Sequence, residues 1–252
     1  MRTQQKLAPL ALLLLSLLLG FTESSFAITK GDKRKAASLK RAELKQAESR
    51  LSELGYGPGP VDGVMDGVTR NALIAFQKME GLDVTGKLGR DGFAAIMSAP
   101  APRAREGGYR HVEVDLERQV LLLIDDEGTV TRVLPVSTGS YRQYNEKGMK
   151  GLAYTPRGRF RIYAKLSGWK RSPLGLLYYP NYFSGGVAIH GNPSVPHEPE
   201  SHGCIRIPML AAAEVSKQLP VGTIVLIYDK RSFVSAKEWA EADKQKQETN
   251  IP

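Results

Sequence analysis

The chain has 252 residues, a formal net charge of +9 and one cysteine. This length suits one large domain or two ordinary ones, and the single cysteine excludes an internal disulfide. The basic charge fits either a plain charged surface or an anionic partner such as a cell-wall polymer or a membrane, but no interleaved basic and aromatic motif points to nucleic acid.

The first 27 residues have the pattern of a secretory signal peptide. Arg2 and Lys6 precede an apolar run over residues 7–19, and small residues lead to a cleavage site after Ala27. The apolar run is shorter than the roughly 20 residues that span a bilayer, so a membrane anchor is the weaker alternative. We therefore expect a secreted protein with no transmembrane segment after cleavage, in the periplasm or cell wall of a bacterium.

Residues 32–98 predict a small all-α module. Apolar residues recur there at three- and four-residue steps among charged ones, and glycines mark the ends of the helices. A weak internal repeat indicates that a turn followed by a helix is used twice. The repeat pairs Val61, Gly63, Met65, Ala72 and Leu73 with Val84, Gly86, Leu88, Ala95 and Ile96, and the three predicted helices cover residues 32–54, 68–80 and 90–97.

Two aspartates in this module resemble calcium ligands. Asp62 and Asp66 lie in a glycine-rich loop, but the further ligands of a calcium loop are missing. We therefore interpret both as turn residues. Residues 99–108, rich in proline and glycine, predict a linker to a second domain.

Residues 109–230 predict a mostly β domain of sandwich or barrel-like architecture. Polar and apolar residues alternate after His111, the run from Gln119 to Ile124 is apolar after its first residue, and Asp125 opens a turn. One helix, predicted over 208–218, interrupts the strands. The fold class is thus a three-helix module followed by a mostly β domain, with a charged tail at 231–252 that we assign no role. The predicted strands cover residues 111–116, 119–124, 129–136, 159–164, 186–189 and 223–228.

Cys204 is the strongest candidate for chemistry. An unpaired thiol is a liability in an exported protein unless its reactivity is used. His190 and His202 lie nearby in sequence, and a histidine can take the thiol proton to create a nucleophile for acyl transfer. The backbone amides around Gly203 are candidates to bind the oxyanion. We also expect glycines 191 and 203 to leave room for the backbone of a polymeric substrate.

Two other interpretations of this cluster remain. A zinc site could use His190, His197, His202 and Cys204, but a second cysteine and a helical histidine pair are missing. The second interpretation is a buried, unreactive cysteine. It fits poorly, because Ser-His-Gly on one side and an arginine on the other are poor surroundings for a core residue. We expect neither a metal nor another cofactor.

Two sets of motifs resemble known families. The segments 189–191 (IHG) and 201–206 (SHGCIR) resemble the signature of the YkuD-type L,D-transpeptidases, and the resemblance covers about residues 109–228. The segments 54–56 (LGY), 59–63 (GPVDG) and 76–77 (FQ) resemble a three-helix peptidoglycan-binding domain.

The transpeptidase resemblance implies a role for each matching residue. Cys204 corresponds to the nucleophile and His190 to the general base, although sequence proximity alone favours His202. His202 and Ser201 become supporting residues, Gly203 an oxyanion donor through its backbone, and Arg206 an organiser of the loop or of a substrate carboxylate. The implied partner is peptidoglycan, and the implied reaction is cross-linking by acyl transfer from a tetrapeptide stem with release of D-Ala.

The sequence leaves the acceptor open. A stem diamino acid, a lipoprotein lysine, another amine and water all fit one nucleophile and one base, so an L,D-carboxypeptidase is the first alternative. A non-catalytic peptidoglycan-binding protein is the second. The Gram type and the oligomeric state are not fixed by the sequence.

Overall fold

The structure is a computed structural model that describes residues 30–230, with side chains from residue 40 onward. The predicted signal peptide and the predicted tail lie outside the described residues. Within the described range, no helix combines the length and the apolar character that crossing a membrane requires.

Three helices open the described chain, as the sequence predicts: α1 (Lys30–Glu53), α2 (Gly67–Glu80) and α3 (Arg90–Ser98). The two repeat glycines, Gly63 and Gly86, both have positive φ, and each precedes the start of its helix by four residues. At each of these turns the glycine amide donates to a side-chain oxygen of the preceding helix, Glu48 or Gln77. The turn-and-helix repeat is therefore confirmed.

Both aspartates of the glycine-rich loop are turn residues. Asp66 caps α2, because its carboxylate accepts hydrogen bonds from the amides of Val68 (2.8 Å) and Thr69 (2.7 Å). These bonds lower the pKa of Asp66. The Asp62 carboxylate accepts from the amide of Val64 (2.8 Å), which closes a local turn.

The second half of the chain forms two open sheets and a separate hairpin. The first sheet has five strands in the order β3-β2-β1-β12-β6, and the second has the order β11-β10-β9-β7 with β8 beside β9. Strands β4 and β5 pair only with each other. The strands are β1 (His111–Asp115), β2 (Val120–Ile124), β3 (Val130–Pro135), β4 (Gln143–Glu146), β5 (Met149–Leu152), β6 (Gly158–Arg161), β7 (Ala164–Lys165), β8 (Trp169–Ser172), β9 (Gly175–Ser184), β10 (Val187–Asn192), β11 (Ile205–Pro208) and β12 (Ile224–Tyr228), and helix α4 (Met209–Gln218) follows β11.

The first sheet is buried on both faces. Leu121 and Leu123 of β2 face a core shared with the second sheet and α4. Their neighbours Val120, Leu122 and Ile124 face the N-terminal helices in a second core. A strand covered on both sides needs an unbroken apolar run, which explains the sequence of β2. The helical module and the β domain therefore share a hydrophobic core, and the predicted mostly β sandwich is built from open sheets rather than a closed barrel.

The segment between the module and the β domain packs along this sheet. The carboxylate of Glu113 is fully buried on β1 and accepts hydrogen bonds from the amides of Arg105 (2.8 Å) and Glu106 (3.0 Å). The hydroxyl of Tyr228 donates to the other oxygen of the same carboxylate (3.0 Å). Glu113 is therefore buried with its carboxylate fully hydrogen-bonded, and the connecting segment supplies two of the donors.

Candidate active site

Parallel pairing of β10 and β11 brings the predicted site residues together. His190 is the register partner of Arg206, and Ile189 is the partner of Ile205. Because side chains alternate along a strand, His190, Arg206 and the preceding Cys204 belong to one face of the pair. Isoleucines 189, 205 and 207 belong to the other face and are completely buried in the core between the two sheets. We call β10, β11 and the loop 201–204 the catalytic platform.

The platform forms the floor of an open cleft of about 520 Å³. The β4–β5 hairpin contributes Tyr144 and Met149 to its walls, and the β8–β9 hairpin contributes Lys170 and Arg171. The sequence missed both hairpins. Five of the six predicted site residues line the cleft: His190, Ser201, His202, Cys204 and Arg206.

His190 is buried, with 4% of its surface exposed. Its Nδ1 lies 2.9 Å from the carbonyl oxygen of Gly191. A carbonyl only accepts, so Nδ1 carries the proton and Nε2 is left as the basic nitrogen. Burial lowers the pKa of His190 to about 4, opposed by the bond to Gly191 and reinforced by the positive charge of Arg206. The imidazole is therefore neutral at pH 7 and able to accept a proton.

Cys204 lies at the entrance to β11. Burial raises the pKa of its thiol, while a hydrogen bond from the backbone of Ala188 and the charge of Arg206 partly oppose that rise. The thiol is therefore protonated at neutral pH. This resting state differs from a preformed thiolate–imidazolium pair, so nucleophilic attack by this thiol would need a base that removes its proton.

Ser201 holds the loop that carries the thiol. Its buried hydroxyl donates to the carbonyl oxygen of Cys204 and accepts from the amide of Gly203 (3.0 Å). The Gly203 amide therefore has a partner in the resting structure, and it must exchange that partner to bind an oxyanion. The carbonyl of Gly203 accepts from the hydroxyl of Thr155 (2.7 Å), which fixes the other side of the loop.

The two glycines beside His190 and Cys204 make room for the protein rather than for a substrate, so the expectation about their role is wrong. A Cβ at Gly203 would lie 2.7 Å from the carbonyl oxygen of Tyr154, and the φ of Gly203 is +139°. A Cβ at Gly191 would lie 2.6 Å from the Cβ of Ala212 on α4. Both positions need glycine because of close packing.

His202 is tied to the β4–β5 hairpin. Its Nε2 contacts the carboxylate of Glu146, and its ring meets Tyr144 edge to face, with 4.9 Å between ring centroids. These contacts occupy the histidine that is nearest to Cys204 in sequence. The structure thus gives the two histidines different surroundings, one inside a sheet and one against an exposed hairpin.

Positive charge gathers in the cleft. Arg206 lies half-buried beside Cys204, and exposed Lys170 and Arg171 lie on β8 at the rim. Tyr182 of β9 also lines the cleft, and burial, with a smaller contribution from the nearby thiol, raises the pKa of its hydroxyl. Sequence reasoning singled out the arginine but neither Lys170 nor Arg171, because nothing in the order of residues connects β8 to the SHGC motif.

The alternative metal site lacks support from the geometry. Within residues 30–230, no group of three or more histidine, cysteine, aspartate or glutamate side chains is placed to hold a metal ion. His197 lines a different cavity, together with Lys78 and Gln119, whereas His190 and Cys204 line the cleft.

Comparison with known proteins identifies two families along the chain. The L,D-transpeptidase catalytic domain (YkuD) matches residues 109–227, and a peptidoglycan binding domain matches residues 40–96. A search of curated protein sequences returned no match.

Solved structures add a relative that matches most of the described chain. An L,D-transpeptidase from Xylanimonas cellulosilytica is 38% identical, with a TM-score of 0.70, and the match covers 74% of this chain and 93% of that one. An L,D-transpeptidase from Stackebrandtia nassauensis is 25% identical, with a TM-score of 0.42 and coverage of 73% and 90%. The chain belongs to the YkuD-type L,D-transpeptidase family and carries a peptidoglycan-binding domain N-terminal to the catalytic domain.

Proposed function

We propose that this chain is an exported L,D-transpeptidase that uses Cys204 as its nucleophile. The observation that carries the proposal is the placement of Cys204, His190 and Arg206 on one face of two paired strands at the floor of an open cleft. A protonated thiol near a neutral imidazole is the resting pair that general-base catalysis requires.

The first half-reaction acylates the enzyme. Nε2 of His190 takes the thiol proton as the sulfur of Cys204 attacks the carbonyl carbon between the third stem residue, a diamino acid, and the terminal D-Ala. The oxyanion is stabilised by backbone amides of the loop, including that of Gly203 once it leaves Ser201. His190 then returns its proton to the leaving amine, D-Ala departs, and a thioester remains.

The second half-reaction transfers the acyl group. An acceptor amine attacks the thioester, His190 takes the amine proton, and the sulfur leaves and is reprotonated. The product is an amide cross-link, and the enzyme regains its starting state. The balance of bonds and protons requires neither a metal nor ATP.

The proposed substrate is peptidoglycan. Its stem peptides carry carboxylates, and the positive charges of Arg206, Lys170 and Arg171 around the cleft suit such groups. We assign to the helical module the binding of the same polymer, and to Arg206 and Ser201 the support of the loop. The proposed organisation is a signal peptide at 1–27, a binding module at 32–98, a connecting segment at 99–108, a catalytic domain at 109–230 and a tail at 231–252.

Incubation with tetrapeptide muropeptides tests the proposal. Mass spectrometry should detect release of D-Ala and a cross-linked dimer with the wild-type protein, and neither with Cys204→Ala. The proposal fails if the wild-type protein makes neither product, or if Cys204→Ala makes both at the wild-type rate.

The muropeptide assay and two binding measurements separate the alternatives. Tripeptide without dimer identifies water as the acceptor and an L,D-carboxypeptidase. A protein that binds sacculi while its Cys204 resists acylation by a carbapenem is a non-catalytic binding protein. Export is tested separately, by N-terminal sequencing of the protein recovered outside the cytoplasm, with Ile28 expected as the first residue.

A further inference from the structure

A lysine of the helical module is buried against the β domain. Lys78 of α2 has only 6% of its surface exposed. Its ammonium donates to the carbonyl oxygens of Val136 (2.9 Å) and Gln119 (3.4 Å). A lysine is almost never this buried unless its ammonium is paired or hydrogen-bonded. Here the two carbonyls accept the hydrogen bonds that the buried ammonium needs.

The two carbonyls lie together where strands β2 and β3 meet. Gln119 precedes β2 and Val136 follows β3, and the amide of Val136 donates to the carbonyl of Gln119 (2.9 Å). The side chain of Gln119 extends this network to Thr138. Its nitrogen donates to the hydroxyl of Thr138 (2.8 Å), and its oxygen accepts from the backbone amide of Thr138 (2.9 Å). Lys78 therefore holds the start of the segment 137–139.

That segment is hydrogen-bonded to the catalytic platform. Ser137 exchanges two backbone bonds with Arg206, at 3.1 Å and 3.0 Å. The amide of Ser201 donates to the carbonyl of Thr138 (2.9 Å). Residues on both sides of Cys204 are thus attached to the segment that Lys78 holds.

The charge of Lys78 is retained at neutral pH. Burial lowers the pKa of Lys78 to about 8, and the charge of Glu198 partly opposes this effect. The carbonyl of Glu198 accepts from the hydroxyl of Ser137 (2.7 Å), so the loop that precedes Ser201 is hydrogen-bonded to the segment 137–139 as well. An ammonium that bridges two carbonyls gives charge-assisted bonds, which are stronger than neutral ones.

We propose that Lys78 is a positioning residue, through which the peptidoglycan-binding module holds the segment 137–139 and thereby the loop that carries Cys204. Its loss leaves a buried carbonyl without its donor and loosens the attachment of Ser201 and Arg206. The module is then a structural part of the active site as well as a wall-binding unit. The expected effect on the rate of Cys204 acylation rests on the proposed function, whereas the expected loosening of the segment 137–139 does not.

Three variants of the full chain test this inference. Lys78→Met keeps the length of the side chain and removes the ammonium, and Lys78→Arg restores a charged donor. Leu73→Ala is the matched control, because Leu73 is a buried core residue of the same helix whose side chain cannot donate a hydrogen bond to the two carbonyls. All variants are compared at a temperature at which each is folded.

Two measurements are made on every variant. The first is hydrogen–deuterium exchange of peptides that cover 137–140 and 201–206. The second is the rate of Cys204 acylation by a carbapenem. We expect Lys78→Met to speed exchange and slow acylation, each by about tenfold, while Lys78→Arg recovers part of both and Leu73→Ala stays within about twofold of wild type.

The inference is overturned if Lys78→Met changes neither quantity, or if Leu73→Ala changes both as strongly as Lys78→Met does. If the wild-type protein is not acylated at all, the proposed function fails. The exchange data then decide the positioning role alone.

Discussion

The catalytic platform and the β4–β5 hairpin face the same cleft but are built differently. His190 and the residues around Cys204 are held in a buried sheet by backbone hydrogen bonds, whereas the hairpin pairs with no other strand and is largely exposed. An isolated two-stranded hairpin is only marginally stable by itself. The comparison indicates that the residues proposed to transfer protons are fixed, while the hairpin that forms one wall of the cleft is held weakly.

Glycine substitutions should show the largest contrast between the two regions. Alanine at Gly203 meets the carbonyl of Tyr154 and adopts an unfavourable φ, so we expect Gly203→Ala to lower the free energy of unfolding by about 2–5 kcal/mol. Gly148, at the hairpin turn, also has positive φ (+75°), but nothing lies within 4 Å of its Cβ position. Gly148→Ala should cost only about 1–2 kcal/mol.

Urea unfolding of both variants makes this measurement. Equal losses at the two glycines would contradict the distinction between a packed platform and a free hairpin.

The pH dependence of the free energy of unfolding should reveal the lowered pKa of the buried His190. Because the pKa of His190 is lowered to about 4, the unfolded chain binds this proton at a higher pH than the folded chain does. His190 should therefore remove about 3 kcal/mol of stability as the pH falls from about 6.5 to about 4. The measurement is the free energy of unfolding of wild type minus that of His190→Gln at each pH. A difference that stays constant across this range would show that His190 is not buried as described.

Breaking the contact between Glu146 of the hairpin and His202 should have the smallest effect on stability and on acylation. The pair of Glu146 and His202 is partly exposed, and such pairs contribute about 0–1 kcal/mol. We expect Glu146→Ala to change carbapenem acylation by less than about fivefold and to leave stability nearly unchanged. Glu127→Ala, at an exposed turn, is the control. A loss of more than a hundredfold in Glu146→Ala would place the hairpin in the chemistry.

Local patterns in the sequence predicted much of the fold. The helix predicted over 68–80 follows from its apolar spacing and from Gly81 after its end, and the strand predicted over 119–124 follows from its apolar run. Such signals act over a few residues, so a single sequence contains them. The motif around Cys204 and His190 named residues that the structure brings into one cleft.

Features that depend on distant contacts were not visible in the sequence. The β4–β5 hairpin is polar and exposed and lacks the apolar alternation that marks a half-buried strand. Gly191 gives no sign that Ala212 fills the space beside it. Lys78 looks like an ordinary surface residue of a helix until the sheet is packed against it. These properties come from tertiary packing, which overrides local preference.

Acylation of Cys204 in His190→Gln and His202→Gln tests the central claim most directly, because it compares the fixed histidine with the hairpin-bound one. The rate is followed by the mass of the intact protein after mixing with a carbapenem. We expect His190→Gln to be about 100- to 10,000-fold slower than wild type and His202→Gln to remain within about tenfold. A larger loss in His202→Gln than in His190→Gln would contradict the assignment of His190 as the base.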